Sequence, residues 1–136
     1  MVLTDEARRF LEEKRFAVLA TVNADGSAQQ TVMWYMLRGD QVVMNTKRGR
    51  LKDRNLLRDR RVSICVEDGY RFVTIAGEVA MIEDQDRAQT DIKALATRYH
   101  GVDGAEQRAR DQFLKEERIS MLLPMDGALV YGFEDE

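Results

Sequence analysis

The sequence predicts a mainly β fold with flanking helices, a six- to seven-stranded antiparallel barrel. Three observations carry that prediction. Short β-rich apolar runs recur along the chain, separated by tight turns such as Asn23-Ala24-Asp25-Gly26, Arg38-Gly39-Asp40 and Asp68-Gly69. A sustained 3.6-residue apolar period is confined to a short N-terminal stretch and to residues 84–101. Gly77 lies inside the longest strand-like run, where a bulge or bend would let a sheet curl into a barrel.

The chain, 136 residues with 33% charged and 44% hydrophobic side chains, has the length and composition of one globular domain, residues 1–136. No apolar run approaches the ~20 residues a membrane helix needs. The acidic, amphipathic N-terminus lacks the basic start and apolar core of a signal peptide, and the single cysteine, Cys65, excludes an internal disulfide framework. A cytoplasmic location is therefore expected, with no membrane partner. One histidine, His100, leaves His-rich metal sites and Ser-His-Asp chemistry poorly supplied, so no metal is expected.

Taken in order, Thr4 caps a helix whose first turn carries Asp5 and Glu6, and Ala7, Phe10 and Leu11 share its apolar face through residues 5–14. Residues 16–22, 29–37 and 41–45 are three strands joined by short turns, an antiparallel meander. A basic loop then leads into a short helix anchored by Leu56 and Leu57. Strands follow over 61–67 and from Tyr70 to about Ile82. Asp84 caps a helix carrying Ala88, Ile92, Leu95, Ala96 and Tyr99 on one face, and Gly101 stops it. Residues 103–117 are a polar helix or a partly ordered connection. Two last strands, 119–123 and 128–133, flank Pro124-Met125-Asp126-Gly127, and the acidic tail 134–136 is expected to fray.

Charge concentrates in one place. From Thr46 to Arg61 eight basic residues stand against two acidic ones, a local +6 in a chain whose net charge is −3. Such a patch is a receptor for a compact anion, or else a solvated arginine-rich helix face. Arg50 and Lys52, two apart with Thr46 upstream, could bring a forked guanidinium, a point charge and a hydroxyl to one phosphate. Arg58, Arg60 and Arg61 are better placed as surface or strand-entry charges. The strand Thr31-Val32-Met33-Trp34-Tyr35 could receive a flat ring on one face; ordinary core packing is the alternative for each of its side chains. Tyr70, at the start of the long strand, could stack on a ring from a neighbouring subunit. His100 suits the C-terminal end of a helix dipole, and the carboxylates Asp84, Asp86 and Asp91 suit capping and solvation better than a metal. No nucleophile, zinc or glycine-rich phosphate motif is present, so if the chain is an enzyme a cofactor brings the chemistry.

The order of these pieces resembles the split β-barrel flavin- and deazaflavin-binding proteins related to pyridoxamine 5′-phosphate oxidase. The likeness runs through Val18-Leu19-Ala20-Thr21-Val22, Asp25-Gly26, Gln29 and Tyr35, and the basic Arg50-Leu51-Lys52-Asp53-Arg54-Asn55-Leu56. It continues through Arg60-Arg61-Val62-Ser63-Ile64, Asp68-Gly69-Tyr70, Ala76-Gly77-Glu78-Val79, Leu123-Pro124 and Val130-Tyr131-Gly132. The resemblance implies an FMN-binding split barrel and a homodimer with a cofactor groove on each side of its interface. The branch it most resembles uses the deazaflavin F420. Arg50 and Lys52 then match positions that hold the cofactor's phosphate, with Asn45, Thr46 and Lys47 beside them. Thr31, Val32, Met33 and Trp34 match the strand along the ring system, and Tyr70 an aromatic near the groove. The Ser-Arg-Lys phosphate element of the FMN oxidases is absent, which lowers FMN as cofactor and pyridoxamine phosphate as substrate. The implied activity is hydride transfer from reduced F420 to a small electron-poor molecule; no catalytic residue is identified. An FMN oxidoreductase, a non-catalytic cofactor-binding protein and a nucleic-acid-binding module using residues 47–61 are the rival expectations. The acidic remainder of the chain counts against the last, so no nucleic-acid partner is expected.

Overall fold

The computed structural model describes residues 3–133, so the expected fraying of the acidic tail lies outside the described residues. Two antiparallel sheets form the barrel. One has the order β2-β1-β5-β6-β9 and the other β3-β4-β8-β7. Their strands are β1 Ala17–Val22, β2 Ala28–Met33, β3 Met36–Arg38, β4 Gln41–Lys47, β5 Arg61–Glu67, β6 Phe72–Glu78, β7 Ala80–Ile82, β8 Arg118–Pro124 and β9 Ala128–Tyr131. The helices are α1 Asp5–Glu12, α2 Leu51–Arg58 and α3 Gln85–Asp111. The mainly β fold with flanking helices is thus the one predicted.

Nine strands among the described residues exceed the predicted six or seven because two predicted strands are each cut in two. The run 29–37 breaks at Trp34-Tyr35, and β2 and β3 belong to different sheets. Tyr35 turns into the core, fully buried, and its hydroxyl donates to the Leu11 carbonyl at 2.7 Å. The run from Tyr70 starts only at Phe72 and changes sheet at Val79. Gly77 is no bulge: the ladder to β5 runs unbroken through Val62 opposite Gly77 and Arg61 opposite Glu78. Its lack of a side chain instead admits Leu123, whose Cδ1 would lie 3.3 Å from an added Cβ. The expected meander is likewise divided, since β1 pairs with β2 and β3 with β4, in separate sheets.

Strand alternation sends Ala17, Leu19 and Thr21 inward from β1 and Val62, Ile64 and Val66 from β5. The apolar ones among them meet Met44, Met121 and Leu123 of the second sheet, and Leu56 of α2, in one core. Helix α1 closes one end. The Thr4 hydroxyl accepts from the Ala7 amide at 3.2 Å, and Ala7, Phe10 and Leu11 face the barrel as predicted. Of the two predicted anchors of α2, Leu56 is buried and Leu57 is half exposed.

Helix α3 lies on the four-stranded sheet. Asp84 caps it and Gly101, at φ 79°, interrupts it where the sequence predicts a stop. The chain then resumes as helix, and Ala105, Ala109 and Phe113 pack against Ile92, Leu95 and Ala96 of the first half. Residues 102–111 are helical, not a loose connection. Asp91 differs from expectation too. It is 3% exposed, and its carboxylate accepts from Ser120 Oγ and Arg38 Nη2, so it is a buried acceptor and not a solvated acid.

Candidate functional site

A cavity of about 300 Å³ opens between the end of β2, the outer face of β4 and β8, and α3. Val32, Met33 and Trp34 form one wall and Ile92, Leu95 and Phe113 an apolar floor. Asn45, Arg50, Arg108, Gln112 and Arg118 supply its polar groups. The composition, apolar with a few convergent polar groups, is that of a small-molecule site.

The wall follows from the break in the predicted second strand. Because Tyr35 is drawn inward, Trp34 is left on the outside, stacked on Tyr99 with ring centroids 5.4 Å apart and planes 13° from parallel. Phe16 extends the stack beyond Tyr99, and His100 meets the edge of Trp34 at 5.2 Å. The Tyr99 hydroxyl, bonded to the Arg15 and Tyr35 backbone, anchors the stack to the strand break.

The basic segment resolves into distinct parts. Arg48 is engaged with Asp53, Glu83 and Glu117, which with its hydrogen bond to Glu83 hold its pKa above the usual value against the effect of burial. Arg61 pairs with Asp59, and Arg58 donates to the Val22 carbonyl. Arg50 is the N-cap residue of α2 and has no hydrogen bond from its side chain to the cap. Lys52, in the first turn of α2, is 7% exposed, and no carboxylate or hydrogen-bond acceptor partners its ammonium among the described residues. Burial lowers its pKa, and the charges of Arg50 and Arg118 lower it further.

Arg118 opens β8 and is 5% exposed. Its Nε donates to Asn45 Oδ1 at 3.0 Å, Nη1 donates to Glu116 at 2.9 Å, and the guanidinium lies 5.3 Å from the Phe113 ring centroid. Glu116 also faces Lys47, 3.6 Å away. Burial lowers the Arg118 pKa, Glu116 opposes that, and Arg50 adds to it. Two threonine hydroxyls of β2 and β4, Thr31 Oγ1 and Thr46 Oγ1, are buried without a hydrogen-bond partner.

Of the ten residues the sequence singled out, Val32, Met33, Trp34, Asn45 and Arg50 line this cavity together. Lys52 lies within electrostatic reach of Arg50. Thr31 and Thr46 occupy the opposite strand faces from Val32 and Asn45, while Lys47 ends β4 as an exposed partner of Glu116. Tyr70 does not line the cavity. It is 87% exposed on the Asp68–Arg71 turn, outside the strand it was expected to open. Sequence reasoning missed Arg118, Arg108, Gln112 and the cavity role of Phe113. A guanidinium heading an otherwise apolar strand was the one available signal for Arg118, because its partner Asn45 is 73 residues away. Among the described residues no group of three or more His, Cys, Asp or Glu side chains could hold a metal, and no helix is long and apolar enough to cross a membrane.

The sequence profile of pyridoxamine 5′-phosphate oxidase matches residues 3–120. The chain belongs to the pyridoxamine 5′-phosphate oxidase family. Its split barrel is shared with a conserved hypothetical protein of Mycobacterium tuberculosis, 27% identical at a TM-score of 0.81 over 96% of this chain and 86% of that one. A protein described as an F420 reductase is 23% identical at a TM-score of 0.74, over 93% of this chain and 98% of that one. A heme-storage protein of Vibrio cholerae has the same fold at 22% identity and a TM-score of 0.72, over 98% and 97%. No curated protein matches the chain in sequence. The family is one of flavin-related oxidoreductases, and its fold is therefore that of this protein.

Proposed function

We propose that this member of the family is an F420-dependent oxidoreductase, a reductase acting on a small electron-poor organic molecule. FMN is the alternative cofactor for the same site. The observation that carries the reading is Lys52, a largely buried lysine whose ammonium has no carboxylate or hydrogen-bond partner among the described residues, held beside Arg50 and Arg118. Gathering three cations with a single nearby carboxylate, itself shared with Lys47, costs folding energy that an anionic ligand would offset. These residues fit a phosphorylated, ring-bearing cofactor.

In that reading Arg50 and Lys52 hold the phosphate, with Asn45, Thr46 and Lys47 beside them. Thr31, Val32, Met33 and Trp34 lie along the ring system. When bound, a deazaflavin supplies hydride transfer at its ring carbon. The chain supplies binding and orientation, because no His, Asp, Glu, Cys, Tyr or Lys side chain lines the cavity, whose charged groups are three arginines. A protonated side chain brought to the groove, or water, supplies the second proton. The neighbour described as an F420 reductase supports the cofactor, and the missing oxidase phosphate element weighs against FMN.

A second copy of the chain is part of the proposal. Register places Val32, Val18, Cys65, Thr74 and Leu129 in one row across the five-stranded sheet, on the face no helix covers. Val32, Leu129 and the stacked pair Phe72–Tyr131 are exposed there, and exposed Tyr70 adjoins them. This supports a homodimer in which Tyr70 serves the partner's groove. Light scattering on the purified chain tests it, and a monomer would refute it.

The cofactor reading is tested by titrating the protein with F420 and with FMN, following fluorescence. Binding of F420 in the micromolar range or tighter is expected, lost by at least about 100-fold in Arg50→Ala/Lys52→Ala. No binding of either cofactor by the wild type would overturn the proposal; unchanged affinity in the double variant would overturn the phosphate assignment.

A further inference from the structure

Arg118 has no part in the sequence-based assignment, yet it is the most constrained cation at the cavity. We propose that Arg118 is the third phosphate-binding residue, and that Asn45 acts as its positioning residue. This rests on the cofactor reading above.

The case is geometric. Arg118 is 5% exposed, lines the cavity, and uses Nε and Nη1 on Asn45 and Glu116. Its Nη2 has no hydrogen bond among the described residues, which leaves one edge of the guanidinium available. A fork with two donors fixed and a third free is suited to a tetrahedral oxyanion.

What fixes the fork is a continuous buried chain of hydrogen bonds. Asp91 Oδ1 accepts from Arg38 and its Oδ2 from Ser120 Oγ at 2.6 Å. Ser120 Oγ in turn accepts from Asn45 Nδ2 at 3.2 Å, and the same Nδ2 donates to the Ala88 carbonyl at 3.0 Å. Both Asn45 donors are thereby committed, so the amide presents its Oδ1 to Arg118 and cannot turn to a ligand. A residue expected to touch the cofactor is occupied in aiming another that does. The backbone is pinned as well: the Gln85 side chain accepts from the Arg118 amide at 2.9 Å and donates to its carbonyl at 2.8 Å.

Two arrangements compete. If Arg118 only ties α3 to the sheet, its removal will harm stability and affect every ligand equally. If it binds phosphate, its removal will act on the phosphate alone. The test therefore compares ligands with and without that group: FMN against riboflavin, which differ by the phosphate alone, and F420 against its phosphate-free deazaflavin chromophore, which also lacks the tail carried on the phosphate. The readout is the affinity ratio within each pair, for wild type, Arg118→Met and Arg118→Lys. The ratio is expected to fall at least about 10-fold in Arg118→Met, with the phosphate-free affinity within about threefold of wild type. Arg118→Lys, which keeps the buried charge and guards against a variant that does not fold, is expected to lose a smaller part. A ratio unchanged in Arg118→Lys and in any folded Arg118→Met overturns the proposal, as does an equal loss for both members of a pair. If the wild type binds none of the four ligands, the cofactor reading fails. Inorganic phosphate then decides the clamp: it should raise the melting temperature of the wild type more than that of Arg118→Lys, and equal or absent shifts refute it.

Discussion

Lys52→Met should stabilise the ligand-free protein while weakening its hold on cofactor. The stem of Lys52 is packed at 7% exposure, and its ammonium finds no acceptor, with Arg50 and Arg118 nearby. Methionine keeps the length and the apolar contacts and removes the charge. Burial of an unpartnered ammonium whose tip still reaches the solvent side costs on the order of 1 kcal/mol, so the variant should gain about that much. In a chain of this size that corresponds to a rise of about 3–4 °C in melting temperature. In the complex the same ammonium would make a charge-assisted hydrogen bond worth about 1.5–3 kcal/mol, so affinity should fall about 10- to 100-fold. Urea unfolding without ligand and fluorescence titration with F420 or FMN read the two quantities separately. The opposite signs are the test. A variant that is less stable without ligand and binds cofactor as tightly as wild type would show that the ammonium has a structural partner, and the reasoning would be refuted.

Tyr35 and Gly127 carry two further predictions. Burial, opposed by the charge of Arg98, raises the Tyr35 pKa from 10.0 to about 12. The unfolded chain therefore loses this proton first, so stability is complete below about pH 10 and declines toward pH 12, by no more than about 1.4 kcal/mol per pH unit. Tyr35→Phe should remove that component of the decline in pH-dependent unfolding and cost about 1 kcal/mol at neutral pH, by taking from the Leu11 carbonyl the shorter of its two side-chain hydrogen bonds and leaving that from Arg98; a decline of unaltered slope in the variant would refute the assignment. A Cβ at Gly127 would sit 2.2 Å from the Ala76 carbonyl oxygen, a backbone atom of β6. Gly127→Ala should cost about 3 kcal/mol or prevent folding, against about 1 kcal/mol for Gly26→Ala, where the space is open and only the positive φ is strained. Equal melting temperatures for the two variants would contradict this close approach.

Several features of this protein were determined by sequence alone. Alternation in β1 and β5, the Thr4 cap, the Asp84 cap and the Gly101 interruption are all local. Each depends on neighbours within a turn or a strand, and each is where the sequence puts it. The Arg50-Leu51-Lys52 element is local as well, with Arg50 at the cap of α2 and Lys52 two residues on in its first turn, whereas its ligand role is the proposal made above. Tertiary structure decided the rest. Tyr35 ended a strand that its own neighbours favoured, because a buried hydroxyl found the Leu11 carbonyl 24 residues away. Asp91, acidic and helical, looked solvated until Ser120 and Arg38 surrounded it. Arg118 carried only the faint local signal of a guanidinium heading a mostly apolar strand, for its environment is assembled by β4, α3 and α2. Backbone preference and apolar period are written in consecutive residues, whereas the energy of a buried charge depends on which distant groups share its low-dielectric surroundings. The chain could therefore announce that it gathers cations, but only its folding settled which of them are left without a partner.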